Sequence, residues 1–249
     1  MNLNSYDSVI ENDSILLDLP YREGIGTETK DHAKPHHAVT MHDPGGGSFT
    51  WTSLASGVMA LEFVTVGGGG VDGVYLQSLA ADTVDLDFTA GDFSISAWIK
   101  WDSTGGWSEI IMGRYGVNLD GWEVYLDISG GLNTVSQRHN HASLNPNFNS
   151  NCYSTCWTPG EWAFLGISRI GGDLYPKHYR NGNVLEMSYE VSGMLDPDTC
   201  NRDLTIGCRY TKDANWFKGF QYRPRIWNRA LSQQEWQAIF NRERDYFGI

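Results

Sequence analysis

Apolar and polar positions alternate along most of the chain in short runs broken by Gly, Pro, Asn and Asp. The clearest run is residues 93–101. Phe93, Ile95, Ala97, Ile99 and Trp101 fall on one face there, and Ser94, Ser96, Trp98 and Lys100 on the other, the period of a strand. Residues 122–128 follow the same rule: Trp122, Val124, Leu126 and Ile128 face inward, Glu123, Tyr125 and Asp127 outward. Further strands are predicted over 14–20 (closed by Pro20), 59–66, 74–77, 109–113, 161–170, 204–209 and 217–227. Asn181-Gly182 predicts a hairpin turn, since both residues tolerate the positive φ of type I′. Gly67 to Gly70 read as a flexible turn, 21–57 as a long ordered loop, and the Asn-rich 130–156 as a loop excursion.

One segment has a different period. Ser232-Gln-Gln-Glu235 fits a capping box and Leu231 with Trp236 a hydrophobic staple. Trp236, Ile239 and Phe240 then share one helical face. A helix of about three turns is too short to stand alone. Many strands and one terminal helix predict an all-β fold, a two-sheet antiparallel sandwich with a C-terminal capping helix. No internal repeat or separating linker occurs, so residues 1–249 read as a single domain with its core at about 15–240.

The order of several short motifs resembles the laminin G-like branch of the concanavalin A-like lectin/glucanase superfamily. They are Leu17-Asp-Leu-Pro-Tyr-Arg-Glu-Gly-Ile-Gly-Thr27 with Asp31, then Phe93 to Lys100, Gly160-Glu-Trp162 and Tyr179-Arg-Asn-Gly182. Leu204-Thr-Ile-Gly207 and Arg225-Ile-Trp-Asn-Arg-Ala-Leu-Ser232 complete the set. The resemblance implies a concanavalin A-like jelly roll, one sheet concave and one convex, in which the helix is structural. It also implies where a structural calcium would sit. Glu23 and Asp31 match the acidic positions of the first loop, but Tyr222-Arg223 stands where relatives carry an acidic pair. No cofactor is required. The metal to look for is calcium, held by Glu23 and Asp31 with backbone carbonyls, and an arginine there opposes it. Otherwise Asp31 caps a turn and Arg223 pairs with a surface carboxylate.

A net charge of −12 argues against nucleic acid or an anionic membrane as partner. No run approaches the length of a transmembrane helix, and the first twenty residues lack the pattern of a secretory signal. Cys152, Cys156, Cys200 and Cys208 allow three pairings. Cys152 and Cys156 with His139 and His141 also form a non-standard zinc pattern, and His36-His37 reads as surface histidine in a loop.

The superfamily includes glycosidases, for which Glu123 and Asp127 are the candidate pair. Four residues along a regular strand span about 13 Å, whereas such carboxyls need about 5–5.5 Å or 6.5–9.5 Å. The chain is therefore expected not to be an enzyme. Two readings remain. In the first it is a lectin-like module for a glycan or protein surface. Glu123, Tyr125 and Asp127, with Trp98 and Lys100 on a nearby strand, then form a groove walled by residues 138–157 and Trp157. In the second it is a structural or decoration component of a phage or virus particle, a homo-oligomer or a capsid or tail partner. Either reading places it outside the cell or on a particle surface.

Overall fold

The computed structural model describes residues 14–66, 73–102, 108–116, 119–129, 132–140, 147–152, 155–173, 175–185, 187–189 and 196–249. These form seventeen strands in two antiparallel sheets. The eight-stranded sheet runs β14 (Asn183–Val184), β13 (Lys177–Arg180), β12 (Trp162–Arg169), β7 (Phe93–Trp101), β17 (Gly219–Trp227), β5 (Met59–Val64), β4 (Ser48–Ser53), with β1 (Ile15–Asp18) also paired to β17. The nine-stranded sheet runs β15 (Met187–Tyr189), β11 (Asn147–Cys152), β10 (Leu132–Asn140), β9 (Asp120–Ser129), β8 (Glu109–Gly116), β16 (Leu204–Ile206), β6 (Tyr75–Ser78), β3 (Ala38–His42), β2 (Glu28–Lys30).

The alternating faces close the sandwich. Phe93, Ile95, Ala97, Ile99 and Trp101 meet Trp122, Val124, Leu126, Val135, Leu204 and Ile206 in one buried cluster. Ile128 is an exception at 39% exposed, because it lies one pair from the end of the β9–β10 ladder, past the core. Two predicted loops are strands instead. Residues 21–57 hold β2, β3 and β4, and residues 130–156 hold β10 and β11. Their Ser, Thr and Asn content gives little intrinsic strand preference, so ladder neighbours decide them. Asn181 and Gly182 do take positive φ, 49° and 76°, between β13 and β14. The predicted turn at Gly67 to Gly70 lies outside the described residues.

The helix, α1 (Gln233–Glu243), carries the capping box in both directions. The Ser232 hydroxyl accepts from the Glu235 amide, and the Ser232 amide donates to the Glu235 carboxylate at 2.8 Å. α1 lies on the outer face of the eight-stranded sheet, where Trp98, Phe164, Tyr179, Tyr222, Trp227, Trp236 and Ile239 form a second buried cluster. A Cβ at Gly166 would come within 2.6 Å of the Trp236 ring, so glycine there is what lets the helix sit down.

Beneath the helix is a buried ionic cluster. Arg223 holds Asp18 with two hydrogen bonds, Nε at 2.8 Å and Nη2 at 2.9 Å, and reaches Glu243 at 2.9 Å. Arg225 also grips Glu243. The expected surface pair of Arg223 is thus a buried one, joining β1, β17 and α1. Arg223 is left-handed (φ 50°) within a register shift of β17, and this bulge also accommodates Pro224 inside a central strand.

Candidate functional site

Of the two outer sheet faces, α1 covers that of the eight-stranded sheet, and it is the one α-helix among the described residues. On the outer face of the nine-stranded sheet, the registers line up one position from each of six strands. The row runs Thr40, Gln77, Thr205, Gly113, Glu123, Arg138. Next to its Thr40 end stands an aromatic ladder. His42 stacks on Tyr75 at 4.9 Å and 11°, and Trp216 also packs on Tyr75 at 6.0 Å, tilted by 36°. Trp216 occupies the space a Cβ at Gly73 would fill, 2.1 Å from its ring. Tyr75 is buried, whereas His42 and Trp216 remain half exposed.

Polar groups border the ladder. The Asp203 carboxylate accepts from Gln77 at 2.7 Å, Lys212 at 2.8 Å and the Ala80 amide at 2.9 Å. Burial raises the Asp203 pKa, but Lys212 and the other donors outweigh it and hold the group below its ordinary value. Partial burial and the Lys212 cation keep His42 below its usual pKa, so the neutral ring prevails at pH 7, with Nε2 already bonded to the Thr40 hydroxyl at 2.9 Å. Arg209 lies 3.6 Å from Glu123. The set offers an aromatic face with carboxylate, amide, hydroxyl and cationic partners on one surface.

The residues expected to form the groove are not together. Trp98 does point to the outer face of its strand, but that strand belongs to the other sheet, and the helix end covers it. Phe247 stacks on it at 4.1 Å and its indole donates to Glu243. Trp157 is a core residue, edge-on to Trp101 at 3.8 Å, with its indole given to the Thr134 carbonyl. Neither can stack on a ligand. Glu123, Tyr125 and Asp127 do share the outer face of β9, but that face is covered here: Glu123 and Tyr125 are 1% and 2% exposed. Asp127 is half exposed and accepts from the Ile128 amide. The register against β10 is unbroken, and the bulge opposite Tyr125 lies on β8. Glu123 and Asp127 therefore keep the spacing of a regular strand.

Glu23 and Asp31 form no calcium cradle. Glu23 accepts from the Thr29 hydroxyl and the Lys30 amide. Asp31 takes the amides of Asp18, Ala33 and His37 and the His37 ring. His37 then contacts Asp85 at 2.9 Å, and its pKa is raised to about 9, so a cation already lies against Asp31. Among the described residues no cluster of three or more His, Cys, Asp or Glu could hold a metal. Cys152 and Cys156 are joined as a disulfide, which removes them from a zinc site, and Cys200 and Cys208 are free and buried. The side chain of His139 and all of His141 lie outside the described residues. His36, in contrast to buried His37, is exposed.

Sequence reasoning missed Thr40, His42, Gln77, Asp203, Lys212 and Trp216. Thr40 and His42 come from a segment read as loop, Gln77 from a predicted strand and Asp203, Lys212 and Trp216 from turns beside short strands; the β3–β6–β16 register brings these strands together.

A profile of the concanavalin A-like lectin/glucanase superfamily matches residues 69–236. The chain belongs to this superfamily. No curated protein matches it. Similar solved structures share the superfamily's sandwich and are receptor-binding domains of botulinum neurotoxins. One concerns neurotoxin type C, whose passage into cells depends on two ganglioside molecules (TM-score 0.64, 15% identity). Another is the binding domain of neurotoxin DC with rat synaptotagmin II (0.65, 16%), and a third is that domain with SialylT (0.63, 16%). Each match covers 93% of this chain and 52% of the other, so the chain spans about half the length of these relatives. At this identity the likeness establishes the shared superfamily fold. No helix among the described residues is long and apolar enough to cross a membrane.

Proposed function

We propose that this protein is a non-catalytic recognition module that binds glycan through the outer face of its nine-stranded sheet. The observation that carries this reading is the His42–Tyr75–Trp216 ladder beside Gln77, Asp203 and Lys212. Sugars present C–H patches to aromatic faces and hydroxyls to carboxylates, amides and ammonium groups, and this surface offers both. The regular spacing of Glu123 and Asp127 on β9 supports binding without hydrolysis. The ganglioside and SialylT associations of the botulinum domains lend support at the level of fold alone. The disulfide Cys152–Cys156 supports an oxidising location, outside a cell or on a particle surface. The test is a glycan array of the purified protein with and without a chelator. Selective binding, indifferent to the chelator and lost in Trp216→Ala, is expected; a blank array in both conditions overturns the reading.

One observation favours a second reading, a part of an assembly. β4, with the sequence Ser-Phe-Thr-Trp-Thr-Ser, ends the eight-stranded sheet without a charge or a proline. The other sheet ends are shorter: β2 has three residues and two charges, β15 three residues and β14 two. An uncharged edge of this length invites pairing with another strand, such as that of a second copy. Sedimentation would show a dimer that Thr50→Lys dissociates; a monomer at all concentrations removes this reading.

A further inference from the structure

On the edge of the eight-stranded sheet, beside the N-terminal end of α1, lies a cavity of about 530 Å³. That volume is within the range of small-ligand sites. Ile170, Tyr175, Tyr179 and Val184 line it from the β12–β14 side, and Leu231 and Gln233 from the helix side. It is remote in the sheet order from the aromatic ladder, which belongs to the other layer.

Three features distinguish it from an ordinary surface crease. Ile170, Tyr175 and Val184 are 48%, 38% and 47% exposed, so three large apolar groups left in water converge on a single concavity. Tyr179 is only 3% exposed, its ring stacked on Trp236 at 5.1 Å, yet its hydroxyl meets no hydrogen-bond partner among the described residues. The hydroxyl is not sealed from water, so a ligand in the cavity can reach it and replace that water, and partial burial pushes this phenol upward in pKa. Finally, the lining holds opposite charges, Asp173 and Lys177, and an amide, Gln233. Neither charge is in an ion pair among the described residues. The Ser168 hydroxyl, by contrast, is committed to Trp236, Ser94 and the Leu231 carbonyl.

We propose that this cavity is a second ligand site, taking a neutral saccharide of one or two hexose rings. A ring face would lie on Tyr175 and Ile170. Its hydroxyls would meet the Tyr179 hydroxyl, the Asp173 carboxylate, the Lys177 ammonium and the Gln233 amide. The balance of one anion and one cation favours a neutral ligand, and the mixture of donors and acceptors suits hydroxyl groups better than an apolar side chain.

The test is an NMR titration of the whole chain with methyl β-glucoside, methyl β-galactoside and N-acetylglucosamine as separate probes. At least one should shift the amides around Ile170, Lys177 and Gln233. Tyr179→Phe, which keeps the ring on Trp236, should weaken that probe about tenfold, equivalent to about 1.4 kcal/mol. Tyr175→Ala should abolish its binding, and Trp216→Ala on the other sheet should leave it unchanged. Thermal melting of each variant establishes that it is folded. The proposal is overturned if no probe shifts these amides. It is also overturned if Trp216→Ala abolishes the shifts, or if phenol binds there and no sugar does, which would mark a pocket for a partner's side chain. Because the two sites respond to different substitutions, failure here leaves the sheet-face reading standing, and the reverse holds too.

Discussion

The indole of Trp98 donates to the carboxylate of Glu243 at 2.8 Å, across 145 residues of sequence. Arg223 and Arg225 hold the same carboxylate, and Arg223 also holds Asp18. One acidic residue at the end of α1 thus fastens the helix to β7 and β17. Glu243→Gln leaves two buried guanidinium groups facing a neutral partner. The expected loss is about 3–5 kcal/mol, the usual cost of removing one member of a buried ion pair. Urea denaturation followed by tryptophan fluorescence measures it, and a loss below about 1 kcal/mol would show that the cluster does not hold the helix.

The helix was legible because its signals are local: Ser232 and Glu235 are three residues apart and Leu231 adjoins the cap. The strand faces were legible for a similar reason, and the outward parity of Trp98 and Glu123 is right. What sequence could not carry was which sheet each strand joins. Trp98 and Glu123 sit on the outer faces of opposite layers, so a groove containing both does not form. Nor could it show that the arginine at position 223 would face inward from a bulge to serve Asp18 and Glu243. β10 and β11 were hidden by an Asn- and Ser-rich text whose pairing is set by β9 rather than by its own preference.

Two buried histidines should give the stability a maximum near neutral pH. Burial lowers the His37 pKa, but hydrogen bonds to Asp31 and Asp85 outweigh this and raise it from 6.5 to about 9. Its contribution is complete below pH 6.5 and disappears as pH rises through 9. Burial pushes His178 down to about 3. That group must stay neutral, so its contribution is present above pH 6.5 and is lost as pH falls toward 3. Asp18 and Glu243 add to the acid limb: burial raises each, their arginines more than offset it, and both sit below their ordinary values. Melting temperature should therefore fall on both sides of about pH 6.5. His37→Gln should flatten the alkaline limb alone, and an unchanged limb would show that His37 is not the charged link between the two carboxylates.

Gly166→Ala tests the seat of the helix. The new methyl would meet the Trp236 ring at 2.6 Å, and that ring is fully buried, so the helix must lift or the strand must bend. Overpacking of this kind costs about 1–3 kcal/mol. Chemical denaturation should show the loss, and a shift in Trp236 fluorescence should accompany it. A neutral outcome would mean that α1 rests on the sheet less closely than the geometry requires.

The free thiols should be silent in the folded protein. Cys200 is pushed up to about 12, first by burial and then by the Asp120 carboxylate beside it, and burial also raises Cys208 well above its ordinary value. Iodoacetamide at pH 8 should label neither until denaturant is added. It should then label Cys200 and Cys208 while Cys152 and Cys156 stay protected until reduction. Labelling of Cys152 without reductant would mean that the pairing is wrong.

Gly73→Ala probes recognition without touching a ligand contact. The backbone at Gly73 needs no left-handed conformation, but an added methyl would fall 2.1–2.4 Å from atoms of the Trp216 ring. The indole must leave its place against Tyr75, and the ladder loses one end. If glycan binds there, Gly73→Ala should weaken it about as much as Trp216→Ala, roughly tenfold or more, a loss of about 1.4 kcal/mol. Because both changes remove the same contact, combining them should add little, a non-additivity that marks coupled residues. Calorimetric titration of the four proteins with a glycan selected on the array decides the matter. Full additivity, or a Gly73→Ala protein that binds normally, would place recognition elsewhere than on the ladder.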